Sequence, residues 1–146
     1  MLLTTSVLTA ALALSQAAQP QEFVIAGAHI GQSYDAARRL SPTIRCEVSC
    51  VDPKARFFGQ PGNLWFGVGD GAINQLAFRF VPILGQPQAQ YVREQFIALY
   101  GHPSKKSDGC DVWEKTKGKI VLCVSDGMSL AYWHDQNWGR TISRIP

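Results

Sequence analysis

The chain has 146 residues, of which 46% are hydrophobic and 17% charged, and its formal net charge is +3. That length suits one domain with a single core. The small, scattered positive charge does not indicate a nucleic-acid-binding protein, and no stretch after the N-terminal segment is apolar enough to cross a membrane.

The N-terminal segment has the pattern of a secretory signal peptide. Met1 to Ala18 contains no charged side chain, and an apolar run from Val7 to Leu14 precedes Ser15-Gln16-Ala17. Small residues at this spacing predict cleavage after Ala17 or Ala18. The alternative is a buried N-terminal helix. We therefore expect residues 1–17 to be removed, residues 18–146 to form a single domain, and the mature protein to be periplasmic or secreted.

Four cysteines lie in the expected mature part, at Cys46, Cys50, Cys110 and Cys123. An even count after a signal peptide predicts disulfides formed in an oxidising compartment. A hairpin that turns through residues 115–118 places Cys110 directly opposite Cys123, which leaves Cys46 to pair with Cys50. The alternative, a zinc site, has unfavourable ligand spacing. The sequence predicts two disulfides, with no metal and no cofactor.

The first half of the chain alternates a weak helix signal with clear strand signals. Glu22 to Ala26 is a candidate edge strand, and Ser33 is a favourable N-cap for a helix that Pro42 stops near Leu40. Strands are then expected over Ala55–Phe58, Asn63–Gly69 and Ala72–Val81, the last two joined by a type I′ turn at Asp70-Gly71. Their alternating hydrophobicity predicts one face on a core and one wetter face.

The second half has a better-specified helix. Pro87 suits the first helical position, Gly101 the C-terminal cap and Pro103 the stop. One apolar stripe follows the helix, which indicates burial; it comprises Ala89, Val92, Phe96, Leu99 and Tyr100. The disulfide hairpin comes next, followed by a strand over Leu130–His134.

Several short motifs recur at similar offsets. Gly-Gln recurs 54 residues apart, at Gly31-Gln32 and Gly85-Gln86, and so does Leu-Ala-aromatic, at 76–78 and 130–132. Asp-Gly recurs 56 residues apart, at 70–71 and 126–127. A doubled helix-then-hairpin pattern predicts an α+β fold of two similar units, about 22–82 and 83–146. In that fold the helices would pack on one face of an antiparallel sheet.

Two groups of side chains are candidate binding surfaces. A lysine cluster at the second hairpin would suit an acidic partner, although a solvated turn is the alternative. Lys105 and Lys106 precede the hairpin, and Lys115, Lys117 and Lys119 lie at its tip. The other group is Trp133, His134 and Trp138. If Tyr132 takes the buried position that Phe78 has in the first unit, Trp133 faces the other side and suits an interface. The alternative is that the tail buries it.

An enzymatic function is the competing hypothesis. His134 with Asp126 or Asp135 would supply a base and an orienting carboxylate for a small hydrolase or ligand-binding enzyme. No nucleophile-elbow motif surrounds the nearby serines, and the histidines form no closely spaced metal-binding pair. The residue pattern therefore favours a protein that binds another protein and is not an enzyme.

The first unit also resembles a known family. Ile30-Gly31-Gln32-Ser33, then Ala37 and Leu40, a local cysteine pair and an aromatic strand running into Asp70-Gly71-Ala72-Ile73 are similar to the repeat unit of beta-lactamase-inhibitor-protein-like domains. More loosely, they resemble the outer-membrane assembly lipoproteins of the same fold group. The resemblance implies a secreted or periplasmic protein that acts by binding other proteins.

Overall fold

The computed structural model describes residues 23–115, 118–125 and 128–134. Two helices and eight strands form in these ranges. The elements, in chain order, are α1 (Tyr34–Ala37), β1 (Arg45–Cys46), β2 (Cys50–Phe57), β3 (Gln60–Gly69), β4 (Ala72–Phe80), α2 (Gln86–Tyr100), β5 (Lys105–Ser107), β6 (Cys110–Lys115), β7 (Gly118–Ser125) and β8 (Met128–His134).

The eight strands form one antiparallel sheet in the order β1-β2-β3-β4-β8-β7-β6-β5. Each half of the chain contributes a meander of four strands, and the two meanders meet at β4 and β8. In this central pair, Ala77 lies opposite Tyr132, with Leu76↔Trp133 and Phe78↔Ala131 on either side. The strand order of the first half is therefore repeated in reverse by the second half.

The predicted α+β fold, with helices covering one face of the sheet, is wrong. The described chain is mostly antiparallel β, and its two helices are short. Ser33 caps α1 as expected, accepting a hydrogen bond from the Ala36 amide, but the helix ends at Ala37 instead of Leu40. Only Ala37 of this helix is buried, so tertiary packing does not extend it. The cap at Ser33 therefore predicted where this helix begins but not how far it extends.

Helix α2 follows its sequence signals closely. Pro87 lies in the first turn, and the Gly101 amide closes the helix on the Ile97 carbonyl. Its buried residues are Ala89, Val92 and Phe96. An ion pair adds a polar link to the sheet, because Arg93 Nε lies 2.6 Å from Oδ2 of Asp111 on β6, a residue only 5% exposed.

In four short turns, a residue with positive φ is followed directly by a glycine that also has positive φ. Asp70 and Gly71 have φ of 52° and 75°, as a type I′ turn requires. Three further pairs adopt the same positive-φ conformation; they are Ala26-Gly27, Phe58-Gly59 and Asp108-Gly109. The first of these joins an isolated bridge, Ile25↔Ala28, where the sequence had predicted an edge strand. The sequence signal was strong only where aspartate preceded glycine between two clearly alternating strands.

The core is a cluster of aromatic rings between α2 and the sheet. Phe96 is fully buried, and its ring centroid lies 5.3–5.7 Å from five other rings, those of Phe23, Phe57, Phe58, Tyr100 and Trp113. Phe78 and Phe80 extend this cluster from β4, on the core face of the sheet. Aromatic rings thus join the N-terminal segment, both meanders and α2 into one core.

The backbone register of β8 shows which residues lie opposite each of its positions. Trp133 pairs with Leu76 and Ile120, both fully buried, whereas Phe78 pairs with Ala131. Tyr132 pairs with Ala77 and Val121. The expectation that Trp133 contributes to an interface stays a prediction. Within the first hairpin, the pairing shifts by one residue between Gly67 and Val68.

The face away from the core is also apolar at its centre. One row of paired positions crosses the sheet on this face, through Val51, Trp65, Ala77, Tyr132, Val121 and Val112. Trp65, Ala77, Val121 and Val112 are all buried. Four positions of this row are therefore buried on the face that was predicted to be wetter.

Both predicted disulfides are confirmed. Cys46 is bonded to Cys50 and Cys110 to Cys123. The pairs Asp111↔Leu122 and Glu114↔Lys119 show the hairpin register that the sequence predicted. No described residue is a free cysteine.

Tyr100 makes the fold sensitive to alkaline pH. Burial raises the pKa of its phenol, while a hydrogen bond with the Val24 backbone partly opposes this shift. Because the folded state holds the proton more tightly than the unfolded state, the stability from this group is complete below about pH 10 and is lost as pH rises through the folded pKa. We expect Tyr100→Phe to flatten the fall in unfolding free energy above pH 10, measured by urea denaturation. An unchanged alkaline slope would contradict this.

Candidate protein-binding surface

Strand directions bring several loops to one end of the sheet. This loop end contains the Cys46–Cys50 loop, the Asp70-Gly71 turn, the closing pair Lys115↔Gly118 of the β6–β7 hairpin, and His134. The Cys110–Cys123 disulfide and the segment after β4 lie at the opposite end. Four strand spacings separate β2 from β7, so the loop end is about 19 Å wide between them. That width suits a protein footprint, which is roughly 28 Å across for 800 Å².

The Cys46–Cys50 loop presents one aliphatic side chain to solvent. Val48 is 100% exposed at the middle of the loop. The disulfide closes the loop across paired strand residues, and the Glu47 amide donates to the Ser49 carbonyl at 3.0 Å. The Trp65 indole Nε1 donates to Ser49 Oγ at 2.8 Å. Three restraints therefore hold five residues around an exposed valine, which lowers the entropy lost when that side chain is bound.

A shallow open depression lies beside this loop. Its wall is formed by Tyr34 of α1, Val68 of β3 and the loop itself. Tyr34 is half-buried, and the Arg38 guanidinium carbon lies 5.9 Å from the centroid of its ring. Tyrosine and arginine are enriched among residues that dominate protein interfaces. We call Tyr34, Arg38, Glu47, Val48 and Val68 the loop patch.

The lysine cluster is partly neutralised by its own hairpin. Lys105 Nζ lies 2.7 Å from Glu114 Oε1, and Lys119 pairs with Glu114 in register. The hydrogen bond from Lys105, and then its charge, hold the pKa of Glu114 below its usual value, with a smaller effect of Lys119. Lys106 is exposed on the edge strand β5. The described part of this surface is therefore mixed in charge.

The structure brings some predicted binding residues together. The backbones of Lys115 and His134 lie at the loop end, and His134 pairs with Gln75 and Lys119. Trp133 pairs in register with Leu76 and Ile120. Lys117 and Trp138 lie outside the described residues, as do Asp126, Asp135 and the predicted signal peptide.

The hydrolase hypothesis stays a prediction, because both of its candidate carboxylates, Asp126 and Asp135, lie outside the described residues. His134 is the last residue of β8. In residues 23–115, 118–125 and 128–134, no three metal-ligating side chains form a group.

One feature of the sequence points to the loop patch. A valine at the centre of Cys-x3-Cys has no neighbouring apolar residue in the loop to pack against, and a five-residue loop leaves no space beneath it. Tyr34, Arg38 and Val68 carry no comparable signal, since folding alone brings them beside the loop.

Ser49→Ala is expected to destabilise the loop by leaving the buried Trp65 N–H without its partner. The expected loss is about 1–2 kcal/mol of unfolding free energy, together with faster amide exchange at residues 47–49. A double-mutant cycle with Trp65→Phe checks the cause, because both changes remove the same hydrogen bond and their effects should not add. Fully additive effects in urea denaturation would contradict the role of this bond, and Ser107→Ala, on an exposed edge strand, is the control.

In the described part of the chain, no helix is long and apolar enough to span a membrane. Comparisons with protein-family models, with curated proteins and with solved structures found no match to this chain.

Proposed function

We propose that this protein is a disulfide-stapled protein-binding module of the periplasm or the extracellular space, and that it binds its partner through the loop end. The observation that carries the proposal is the fully exposed Val48 on a loop held by a disulfide and two hydrogen bonds. An exposed aliphatic side chain on a rigid support is costly to leave in water and effective as an anchor.

The breadth of the surface favours a macromolecule over a small substrate. The Cys46–Cys50 loop and the β6–β7 hairpin, which carries the lysine cluster, are separated by most of the width of the sheet. One small molecule would therefore not contact both. The two disulfides support a protein that matures in an oxidising compartment. An inhibitor-like role is the form of binding that the family resemblance implies.

Site-specific photo-crosslinking in intact cells tests the proposal. The full chain would carry benzoylphenylalanine at position 48 or 119 on the loop end, with position 83, 59% exposed beyond the opposite end of β4, as the matched control. We expect positions 48 and 119 to crosslink to the same partner, a protein other than this chain. Position 83 should not crosslink to that partner. Adducts that are absent, or equal from all three positions, would refute the proposal. Loss of crosslinking from position 48 after Cys46→Ser/Cys50→Ser would show that binding at this position requires the Cys46–Cys50 disulfide.

A further inference from the structure

We infer that the loop patch is self-complementary and pairs two copies of this chain in a weak, symmetric dimer. This goes beyond the proposed function, because the partner here is the protein itself. A two-fold interface brings the same patch of both subunits together, so each feature must meet its complement within that patch. A protruding side chain next to a depression meets this requirement.

The shape of the loop patch provides the first complementarity. Val48 projects fully into solvent, and the depression that begins at the same loop is walled by Tyr34 and Val68. In a two-fold arrangement, Val48 of one copy would enter the depression of the other, and the reverse contact would follow by symmetry. Both valines would leave water in one association step, along with the exposed part of each Val68.

The charges of the loop patch provide the second complementarity. Glu47 lines the depression, and Arg38 lies over the ring of Tyr34, which lines it too. Both charged side chains are exposed. Among the described residues, neither is held in an ion pair within 4 Å. Across a two-fold axis, Glu47 of each copy would face Arg38 of the other, which gives two opposite-charge contacts and fixes the orientation.

The loop patch is small, so we expect the two copies to bind each other weakly. Stable dimers generally bury about 800 Å² on each partner, whereas smaller contacts form transient complexes. We therefore expect a dissociation constant on the order of 0.1–1 mM, reached by a fast monomer–dimer equilibrium. In this dimer Val48 is covered, so self-association would compete with binding of another protein at the same surface.

Sedimentation equilibrium of the mature, oxidised protein, from 10 µM to 2 mM, tests the inference. We expect the average mass to rise towards that of a dimer. Val48→Asp should raise the dissociation constant at least tenfold, since a carboxylate would enter the depression in both copies. Ile83→Asp, on an exposed apolar residue at the opposite end of the sheet, should leave it unchanged. Mass that stays monomeric throughout, or a dimer unaffected by Val48→Asp, would overturn the inference.

A charge-reversal cycle tests the orientation separately. Arg38→Glu and Glu47→Arg should each weaken the dimer, and the double variant should restore it, because the opposite-charge contacts reappear with their signs exchanged. The two single variants should also reverse the salt dependence, since added salt screens repulsion as well as attraction. A double variant weaker than both single variants would overturn the two-fold pairing. Crosslinks to a different protein could still occur from position 48 in that case, so this failure is distinguishable from failure of the proposed function.

Discussion

Phe96→Ala is expected to lower the free energy of unfolding by about 3–5 kcal/mol, the largest single effect expected from the core. Phe96 is fully buried, and its ring contacts aromatic residues from the N-terminal segment, β2, α2 and β6. Truncation removes the buried ring and leaves a cavity that five surrounding rings cannot fill without leaving their own positions. Urea denaturation followed by tryptophan fluorescence would measure the loss.

Leu99→Ala, one turn further along α2, provides the matched control. Leu99 belongs to the apolar stripe predicted from sequence, but it is 42% exposed. We expect its truncation to cost less than about 1 kcal/mol, because little buried area is lost. Equal losses for the two variants would show that the aromatic cluster does not hold the helix to the sheet.

Removal of the Cys110–Cys123 disulfide is expected to have the next largest effect. The bridge spans 13 residues of sequence and joins facing positions of β6 and β7. The chain-entropy model gives about 3 kcal/mol for a loop of this length. Both sulfur-bearing residues are also buried beside Val112 and Val121, so Cys110→Ser/Cys123→Ser leaves two hydroxyls in an apolar cluster.

The matched comparison is Cys46→Ser/Cys50→Ser, where the closed loop spans only four residues of sequence. The same model gives about 2 kcal/mol for it. We therefore expect the hairpin variant to have the lower melting temperature when both are measured in one buffer, since a difference near 1 kcal/mol shifts a domain of this size by a few degrees. Equal melting temperatures would contradict the loop-length argument.

Short-range features of this fold were predictable from sequence, and long-range ones were not. The register of the disulfide hairpin, the bounds of α2 and the turn at Asp70-Gly71 depend on residues close together in the chain. The extent of α1 depended on what packed against it, and the local cap at Ser33 did not contain that information. The register of β8 against β4 joins residues that are far apart in the chain, and no residue in β8 itself signals that register.

The candidate site shows the same division. The cysteine pairing that holds the loop was readable from spacing, and the lysines of the second hairpin were visible as a cluster. The partial neutralisation by Glu114 and the approach of Tyr34 to the disulfide loop arise from tertiary structure. Val48 has the strongest case for binding, and its place at the centre of Cys-x3-Cys is its only sequence signal; its full exposure is seen in the structure.

The palindromic strand order has a consequence for the order of folding. Every neighbouring pair in the sheet joins consecutive strands, except β4 and β8, whose paired residues are separated by about 50–60 positions in sequence. Each meander can form through contacts that are local in the chain, whereas the central joint must close a long loop first. Substitutions at the β4–β8 seam should therefore slow folding, while changes in the outer hairpins should mainly speed unfolding. Until that seam closes, β4 and β8 each expose an unpaired edge, and this is the stage at which the chain is most open to aggregation.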